Sequence, residues 1–257
     1  MLRFKSLGSG SSGNATLVEA GGLVPFRLLV DCGLGIRQLC ARLGEAGLQP
    51  EDIHAVFITH EHGDHIGCAR TFCLRYRIPV WMSSGTYAGI GSPDFDGLLH
   101  RARDAEPIDL GGLLLTPFAV PHDAGEPLQL SCTDGSVKLG VVTDLGHVNE
   151  HVLANLMGCN GLVLECNHDN DMLAGSPYPF FLKRRVGGDL GHLSNAAAAT
   201  IASAVRHHQL KHLVAAHLSL QNNRPELARM AMSQALDCGH EDIVVADAVL
   251  GTPWLHL

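Results

Sequence analysis

A cluster of histidines and an aspartate directly follows a hydrophobic run, and it constrains this chain more than any other feature. Residues 56–65 read VFITHEHGDH. Residues 56–59 are apolar or β-favouring and predict a buried strand that ends where the polar residues begin. The donors that follow are His60, His62, Asp64 and His65. A lone histidine is more often structural, but four imidazole and carboxylate donors after a buried strand favour a site for one or two metal ions.

The order of apolar runs predicts an α/β fold of two sheets. Strands are predicted at 2–7, 15–20, 26–31, 56–59, 78–82, 113–120, 128–132, 137–143, 162–165, 212–216 and 243–246. Helices are predicted at 36–46, across 68–74, from 194 or 195 to 207, and from Pro225 to a point before Gly239. Strands come first and strand–helix alternation follows in each half, which predicts an αβ/βα sandwich with outer helices, formed by one domain over residues 1–257. Residues 83–112 give no regular prediction beyond a lid or rim loop.

Polar side chains stand at the ends of several predicted strands. They are His60, His122, Asp144, Glu165 and His217. Because each follows an apolar run, we expect them to converge on one rim of the sheets, where binding sites of α/β proteins form. His122 has Asp123 beside it, and His217 follows His212 closely. The residues alone therefore leave these two assignments open, with a structural histidine as the alternative.

The composition limits the class of protein. Hydrophobic residues make up 46% of the chain and charged residues 17%, which is typical of a folded core. No apolar run approaches the roughly 20 residues of a membrane span, so no membrane partner is expected. Residues 1–5 lack the apolar core of a signal peptide, and the eight scattered cysteines suit a reducing compartment. These features predict a cytoplasmic protein and leave its oligomeric state open.

Two further motifs carry a family resemblance. Residues 7–14 read LGSGSSGN and residues 191–195 read GHLSN. Together with the HxHxDH run, they resemble the metallo-β-lactamase-fold hydrolases over almost the whole chain. Within that superfamily they look like the YycJ-like branch, also called VicX or WalJ, which is related to ribonucleases Z and J and associated with exonuclease activity on DNA. The resemblance implies a four-layer αβ/βα sandwich of two mixed sheets.

The resemblance also implies two divalent metal ions, expected to be zinc, with manganese or iron as alternatives. One ion would be held by His60, His62 and His122. The other would be held by Asp64, His65 and His217, and Asp144 would bridge the pair. Each ion then has three terminal ligands and a position for water, and a bridging hydroxide would attack the substrate. Asp64 is expected to serve catalysis as well, and Asp31 is expected to support the metal loop or simply to form a turn.

His192 lies outside this ligand set. In ribonuclease Z-like relatives a histidine in a comparable late motif, paired with a carboxylate, acts on the leaving oxygen. Glu165 is the matching carboxylate here. We therefore hypothesise that Glu165 orients His192 and that His192 donates a proton to the departing 3′-oxygen.

Two stretches are candidates for holding the substrate. The only dense basic triplet is Lys183, Arg184 and Arg185. It could contact backbone phosphates beside a metal site, although a solvated loop or helix end is the plain alternative. The Gly/Ser loop contributes Ser11, Ser12 and Asn14. Such a loop could offer backbone N–H groups to a phosphate, and an ordinary hairpin connection fits its composition equally well.

The predicted function is hydrolysis of phosphodiester bonds by a nuclease, with DNA favoured over RNA as the partner. The net charge of −8 counts against a long nucleic-acid surface, but two divalent ions would make the cleft locally positive. A small-molecule hydrolase on the same scaffold, a thioesterase or lactonase, is the first alternative. A non-catalytic metal-binding regulatory protein is the second, and the complete ligand set counts against it.

Overall fold

The strands of this protein divide equally between two sheets. The structure, a computed structural model, describes residues 1–22 and 24–257. In these ranges each sheet has seven strands, and helices cover the outer face of both. The predicted αβ/βα sandwich with four layers is therefore confirmed.

The elements alternate along the chain as the apolar runs indicate. The strands are β1 (Leu2–Gly8), β2 (Ala15–Ala20), β3 (Phe26–Val30), β4 (Ala55–Phe57), β5 (Val80–Met82), β6 (Leu99–Arg101), β7 (Ile108–Asp109), β8 (Leu114–Ala119), β9 (Leu128–Thr133), β10 (Lys138–Val142), β11 (Gly161–Glu165), β12 (His212–Ala216), β13 (Val244–Val245) and β14 (Leu255–His256). The helices are α1 (Ile36–Glu45), α2 (Gly63–Ile66), α3 (Ala69–Tyr76), α4 (Ser84–Gly89), α5 (Glu150–Leu156), α6 (Asn170–Gly175), α7 (Phe180–Val186), α8 (Asn195–Val205) and α9 (Pro225–Leu236). Short 3₁₀ turns occupy Pro50–Asp52 and His240–Asp242.

The two sheets have similar strand patterns. The first runs in the order β14-β1-β2-β3-β4-β5-β6, and the second in the order β13-β12-β11-β10-β9-β8-β7. In the first sheet, β1 to β3 are antiparallel and β3 to β6 are parallel. In the second, β7 to β10 are antiparallel and β10 to β13 are parallel. The parallel strands bring their carboxyl ends to one edge of each sheet.

Three hydrophobic clusters fill the spaces between the layers. The alternation of side chains along β4 shows how they are separated, since Ala55 and Phe57 face the central cluster while Val56 faces outward. The central cluster lies between the sheets. A second packs α1 and α3 against the first sheet, and a third packs α5, α8 and α9 against the second. Both sheets are buried on two faces, which explains why their strands read as nearly continuous apolar runs.

Residues 83–112, for which no regular element was predicted beyond a lid or rim loop, contain three regular elements. They form α4 and then the edge strands β6 and β7, one for each sheet. Strands of two or three residues are too short to show an alternating pattern, which is why composition alone suggested a loop. The short helices α5, α6 and α7 also lacked a prediction. The predicted strand boundaries differ from the observed ones by two residues or fewer.

The cysteines and the helices are relevant to the cellular location of the protein. All eight cysteines are free thiols, and five of them are buried. Burial raises the pKa of Cys73 to about 12, so this thiol stays protonated and packs as a small apolar group. Among the described residues, no helix has both the length and the apolar character needed to cross a bilayer. The cytoplasmic location remains a prediction.

Candidate metal centre

Strand ends from both sheets meet at one place. The loop after β4 carries His60 and His62 and continues into α2, which carries Asp64 and His65. Three strands of the second sheet deliver the others: His122 follows β8, Asp144 follows β10, and His217 follows β12. Groups of these side chains have donor atoms within 4.8 Å of one another. The convergence that the sequence predicted is therefore present in the fold.

Three imidazoles form the first group. Nε2 of His60 lies 3.0 Å from Nδ1 of His62, and Nε2 of His122 lies 3.3 Å from that same Nδ1. Burial lowers the pKa of His60 well below its ordinary value and also lowers that of His122. Both rings are thus neutral near pH 7, which is the state in which imidazole binds a metal.

The second group consists of Asp64, His65 and His217. Oδ2 of Asp64 lies 3.3 Å from Nε2 of His217 and 3.7 Å from Nε2 of His65. Asp144 stands between the two groups, with Oδ2 at 2.6 Å from Nε2 of His65 and Oδ1 at 4.0 Å from Nε2 of His122. Burial would raise the pKa of Asp144, but His217 and His65 hold it well below its usual range. Its carboxylate is therefore charged and within reach of both groups.

The donor set fits a pair of cations. Asp144 is only 1% exposed, and its Oδ2 makes no hydrogen bond despite the nearby ring of His65. In the first group, one nitrogen of His62 faces nitrogens of two other imidazoles. A buried carboxylate oxygen without a hydrogen bond, and imidazole nitrogens that face one another, are costly unless a cation lies among them. The cluster is of the kind that binds divalent metals.

A set of buried contacts orients these donors. Oδ2 of Asp31 accepts a hydrogen bond from Nδ1 of His65 at 2.7 Å, and Asp31 also accepts from the backbone N–H and the hydroxyl of Thr59. Nδ1 of His122 donates to the Gly191 carbonyl at 2.9 Å. Each bond fixes the orientation of its ring, so that the other ring nitrogen points at the centre. Asp31 thus has the supporting contacts that the resemblance implied.

The Gly/Ser loop, residues 8–14, also contacts the segment that carries Asp64 and His65. The backbone N–H of Asn14 donates to the Asp64 carbonyl at 2.8 Å, and its side-chain nitrogen lies 3.1 Å from Nε2 of His65. Gly33 permits this approach, because a Cβ there would lie 1.7 Å from the Asp64 carbonyl oxygen. Asn14 is buried, Ser11 lines the cleft, and Ser12 is exposed and does not line it. The contacts of Asn14 are those of a residue that positions the loop.

Glu165 and His192 are in direct contact. Oε1 of Glu165 lies 2.7 Å from Nδ1 of His192, while its Oε2 accepts from the backbone N–H groups of Leu145 at 2.8 Å and Leu193 at 3.1 Å. Burial would lower the pKa of His192, but Glu165 and Asp144 raise it to about 10. The ring is therefore protonated near neutral pH. It lines the cleft, so its proton can reach a bound molecule.

The cleft has a volume of about 360 Å³, and α7 forms one of its walls. Ser11, Asp64, Asp144, His192 and His217 line it, together with Leu182, Arg185 and Val186 from α7. Of the basic triplet, Arg185 alone lines this cleft within the described residues, with Nε 2.6 Å from Oδ2 of Asp123. Lys183 donates to the Ala174 carbonyl, and Arg184 lies over the Phe180 ring. The triplet lies in the last turn of α7. One of its three side chains reaches the cleft, so the triplet is neither wholly part of the site nor merely a solvated helix end.

Three residues make contacts in the site that the sequence did not predict. Thr59 links Asp31 to the His60 ring, Asp123 pairs with Arg185 beside His62, and Asn167 donates to the His217 carbonyl at 3.1 Å. Thr59 ends an otherwise apolar run, and Asn167 follows Glu165 by two positions. A polar residue at the end of a buried strand is the signal that could have identified both.

Comparison with known proteins places this chain in a family. Residues 26–218 match the model of the β-lactamase superfamily domain. The exodeoxyribonuclease YycJ of Bacillus anthracis is 36% identical over 241 residues, covering 92% of this chain and 89% of the relative. The exodeoxyribonuclease WalJ of Streptococcus pneumoniae D39 is 30% identical over 239 residues, covering 91% and 88%. The solved structure of YhfI, a metallo-β-lactamase fold protein from Bacillus subtilis, superposes with a TM-score of 0.77 at 17% identity over 99% of this chain and 98% of that one.

Proposed function

The chain belongs to the β-lactamase superfamily, and from that premise we propose that it is a metal-dependent nuclease that hydrolyses phosphodiester bonds at the ends of DNA. The contact between Glu165 and His192, beside the metal donors and open to the cleft, carries this proposal. The name exodeoxyribonuclease, borne by relatives that are 30% and 36% identical over most of the chain, supports a nucleic acid as the substrate.

The donor groups support a proposal for the metal ligands. We propose that one ion is held by His60, His62 and His122, that the other is held by Asp64, His65 and His217, and that Asp144 is shared. Zinc suits this mixture of nitrogen and oxygen donors, with manganese and iron as alternatives. Two such ions would polarise the phosphate and lower the pKa of a bound water molecule, so that this water could ionise near neutral pH.

The residues of the chain perform the remaining steps. In hydrolysis a water molecule gives up a proton to the solvent, its oxygen forms a bond to phosphorus, and the bond from phosphorus to the 3′-oxygen breaks. His192 is placed to give its proton to that departing oxygen, which would otherwise leave as an alkoxide. Glu165 holds the ring by one oxygen while two backbone N–H groups hold the other. Arg185, at the edge of the cleft, is placed to contact a phosphate of the bound strand.

DNA is proposed over RNA because the relatives that match most of the chain are named for DNA. The free thiols suit a reducing compartment, which supports a cytoplasmic location as part of the same proposal.

The direct test uses metal-reconstituted protein and end-labelled single- and double-stranded DNA and RNA. Progressive shortening of DNA from one end is expected. Internal cuts as the first products would contradict an exonuclease, and faster cleavage of RNA would contradict the choice of DNA. Turnover of a thioester with none of bis-p-nitrophenyl phosphate would instead identify a small-molecule hydrolase.

A further inference from the structure

Two adjacent phenylalanines are exposed at the start of α7. Phe180 is 76% exposed and Phe181 is 72% exposed, and none of the residues of α7 is buried. These rings therefore do not attach the helix to the core. Large apolar side chains that are exposed together mark a surface that binds something.

The position of the two rings connects them to the cleft. Phe181 precedes Arg185 by four residues, so the two side chains share one face of α7. Arg185 lines the cleft, and Leu182 and Val186 line it beside Arg185. Phe181 thus continues the wall of the cleft outward along the same helix. A molecule that leaves the cleft over α7 would next meet this ring.

The charges around the rings indicate what that molecule is. Lys183, Arg184 and Arg185 follow the two phenylalanines after Leu182, in a chain whose net charge is −8. The Arg184 guanidinium lies 5.9 Å from the centre of the Phe180 ring, so cation and aromatic face are presented together. Aromatic rings beside cations are the combination that binds single-stranded nucleic acids, because the rings stack on bases and the cations contact phosphates.

We propose that Phe180 and Phe181 form a stacking platform for the unpaired bases of a single-stranded end that enters the cleft. The inference rests on the proposed function for its chemistry and adds the form of the substrate. Bases inside a duplex stack on their neighbours and present no free face to a ring. The platform therefore favours single-stranded or frayed ends over blunt duplex ends.

Binding can be measured without hydrolysis. Fluorescence anisotropy of the metal-loaded protein would compare a labelled phosphorothioate oligothymidylate, which resists hydrolysis, with an abasic deoxyribose-phosphorothioate oligomer of equal length. The double variant F180A/F181A is expected to bind the oligothymidylate about tenfold more weakly or worse, since stacking contributes about 1–3 kcal/mol per base. Its affinity for the abasic oligomer should stay within about twofold, because the phosphate contacts remain. Equal losses on both ligands would overturn the platform.

Two further variants sharpen the test. F180L/F181L keeps an apolar surface but has no aromatic face, so it should lose affinity for the oligothymidylate as the alanine variant does. Wild-type affinity in the leucine variant would show that stacking is not involved. Met157 is an exposed apolar residue at the end of α5, remote from α7 in the chain, and M157A should bind like the wild type. A matching loss in M157A would make the effect non-specific.

Other occupants of the surface give distinct results. If F180A/F181A lost affinity for phosphatidylglycerol vesicles, or converted a dimer to a monomer, with oligonucleotide binding intact, the proposal would be overturned. The proposed function fails separately: a metal-loaded wild type that binds oligothymidylate through these rings but never cleaves its unmodified phosphodiester form would refute the nuclease and leave the platform standing.

Discussion

Nδ1 of His192 lies 2.7 Å from Oε1 of Glu165, and both residues sit beside the proposed metal ligands without belonging to them. The other carboxylate oxygen of Glu165 is fixed by backbone N–H groups of residues 145 and 193. The glutamate therefore cannot rotate away without breaking two buried hydrogen bonds. This rigidity sets the direction in which the histidine presents its second nitrogen.

Replacing His192 tests its role as a proton donor. We expect H192A to lower the turnover of an oligonucleotide by about 10²–10⁴-fold, because the leaving oxygen loses its acid. Metal content, measured by atomic emission, should stay full, since His192 is not among the proposed ligands. Turnover within about threefold of the wild type at full metal content would refute the role.

Asp31 is expected to control metal affinity from outside the ligand set. D31N keeps a residue that tolerates the left-handed backbone, with φ at 64°, but removes the charge beside His65. Metal affinity, measured by competition with a chromogenic chelator, should fall about 10–100-fold. Asp237 has φ at 53° and is exposed, so D237N is a matched control that should bind metal normally. Equal affinities for D31N and wild type would exclude the supporting role.

Removing the metal ions should lower the melting temperature. Ligands bound only by the folded state stabilise it by about 2.7 kcal/mol at a hundred times their dissociation constant. For a chain of this size that corresponds to roughly 5–10 °C, which differential scanning fluorimetry resolves. Dialysis against a chelator should produce the loss and added zinc should reverse it. D144A should show no such response to zinc, and an unchanged wild type on chelation would argue against bound metal.

Arg185 and Arg184 are neighbours in the chain, but their side chains contact different parts of the protein. R185Q should raise the KM for an oligonucleotide about tenfold, because Arg185 alone of the pair lines the cleft. R184Q should change KM less, since its guanidinium lies over the Phe180 ring instead. Steady-state kinetics on one labelled oligonucleotide would compare them. A larger effect in R184Q would place the phosphate contact further out along α7.

Glu19 should make folding stability depend on acid pH. Burial would raise its pKa, but hydrogen bonds from Arg3 at 2.6 Å and Arg27 at 2.7 Å hold it below the ordinary value. A carboxyl with a depressed folded-state pKa stabilises the protein above its unfolded pKa, and this stability is lost as pH falls through the folded pKa. Urea midpoints measured between neutral and acid pH should therefore converge for wild type and E19Q. A constant gap would contradict the argument.

The sequence predicted the parts of the centre that are close together in the chain. His60, His62, Asp64 and His65 fall within six residues, so their chemistry is visible without a fold. The contact by which Asn14 positions Asp64 was not predictable in this way, because the two residues lie 50 positions apart in the chain. A contact of that separation depends on how the strands pair.

Short elements were missed for a different reason. α7 has seven residues and no buried face, so it shows no helical period of apolar residues. The edge strands β6 and β7 have three and two residues. The long runs that form the sheet interiors were predicted because burial on both faces leaves a continuous apolar signal.

Asp31 and His217 both adopt a left-handed backbone, with φ at 64° and 54°, at strand ends in the centre of the site. Such a conformation costs a residue other than glycine about 1 kcal/mol or more, and the surrounding sheets must hold it in place. Glycine at position 217 would relax the chain and remove a donor at the same time. Local backbone stability is therefore given up at two positions where the site needs a side chain.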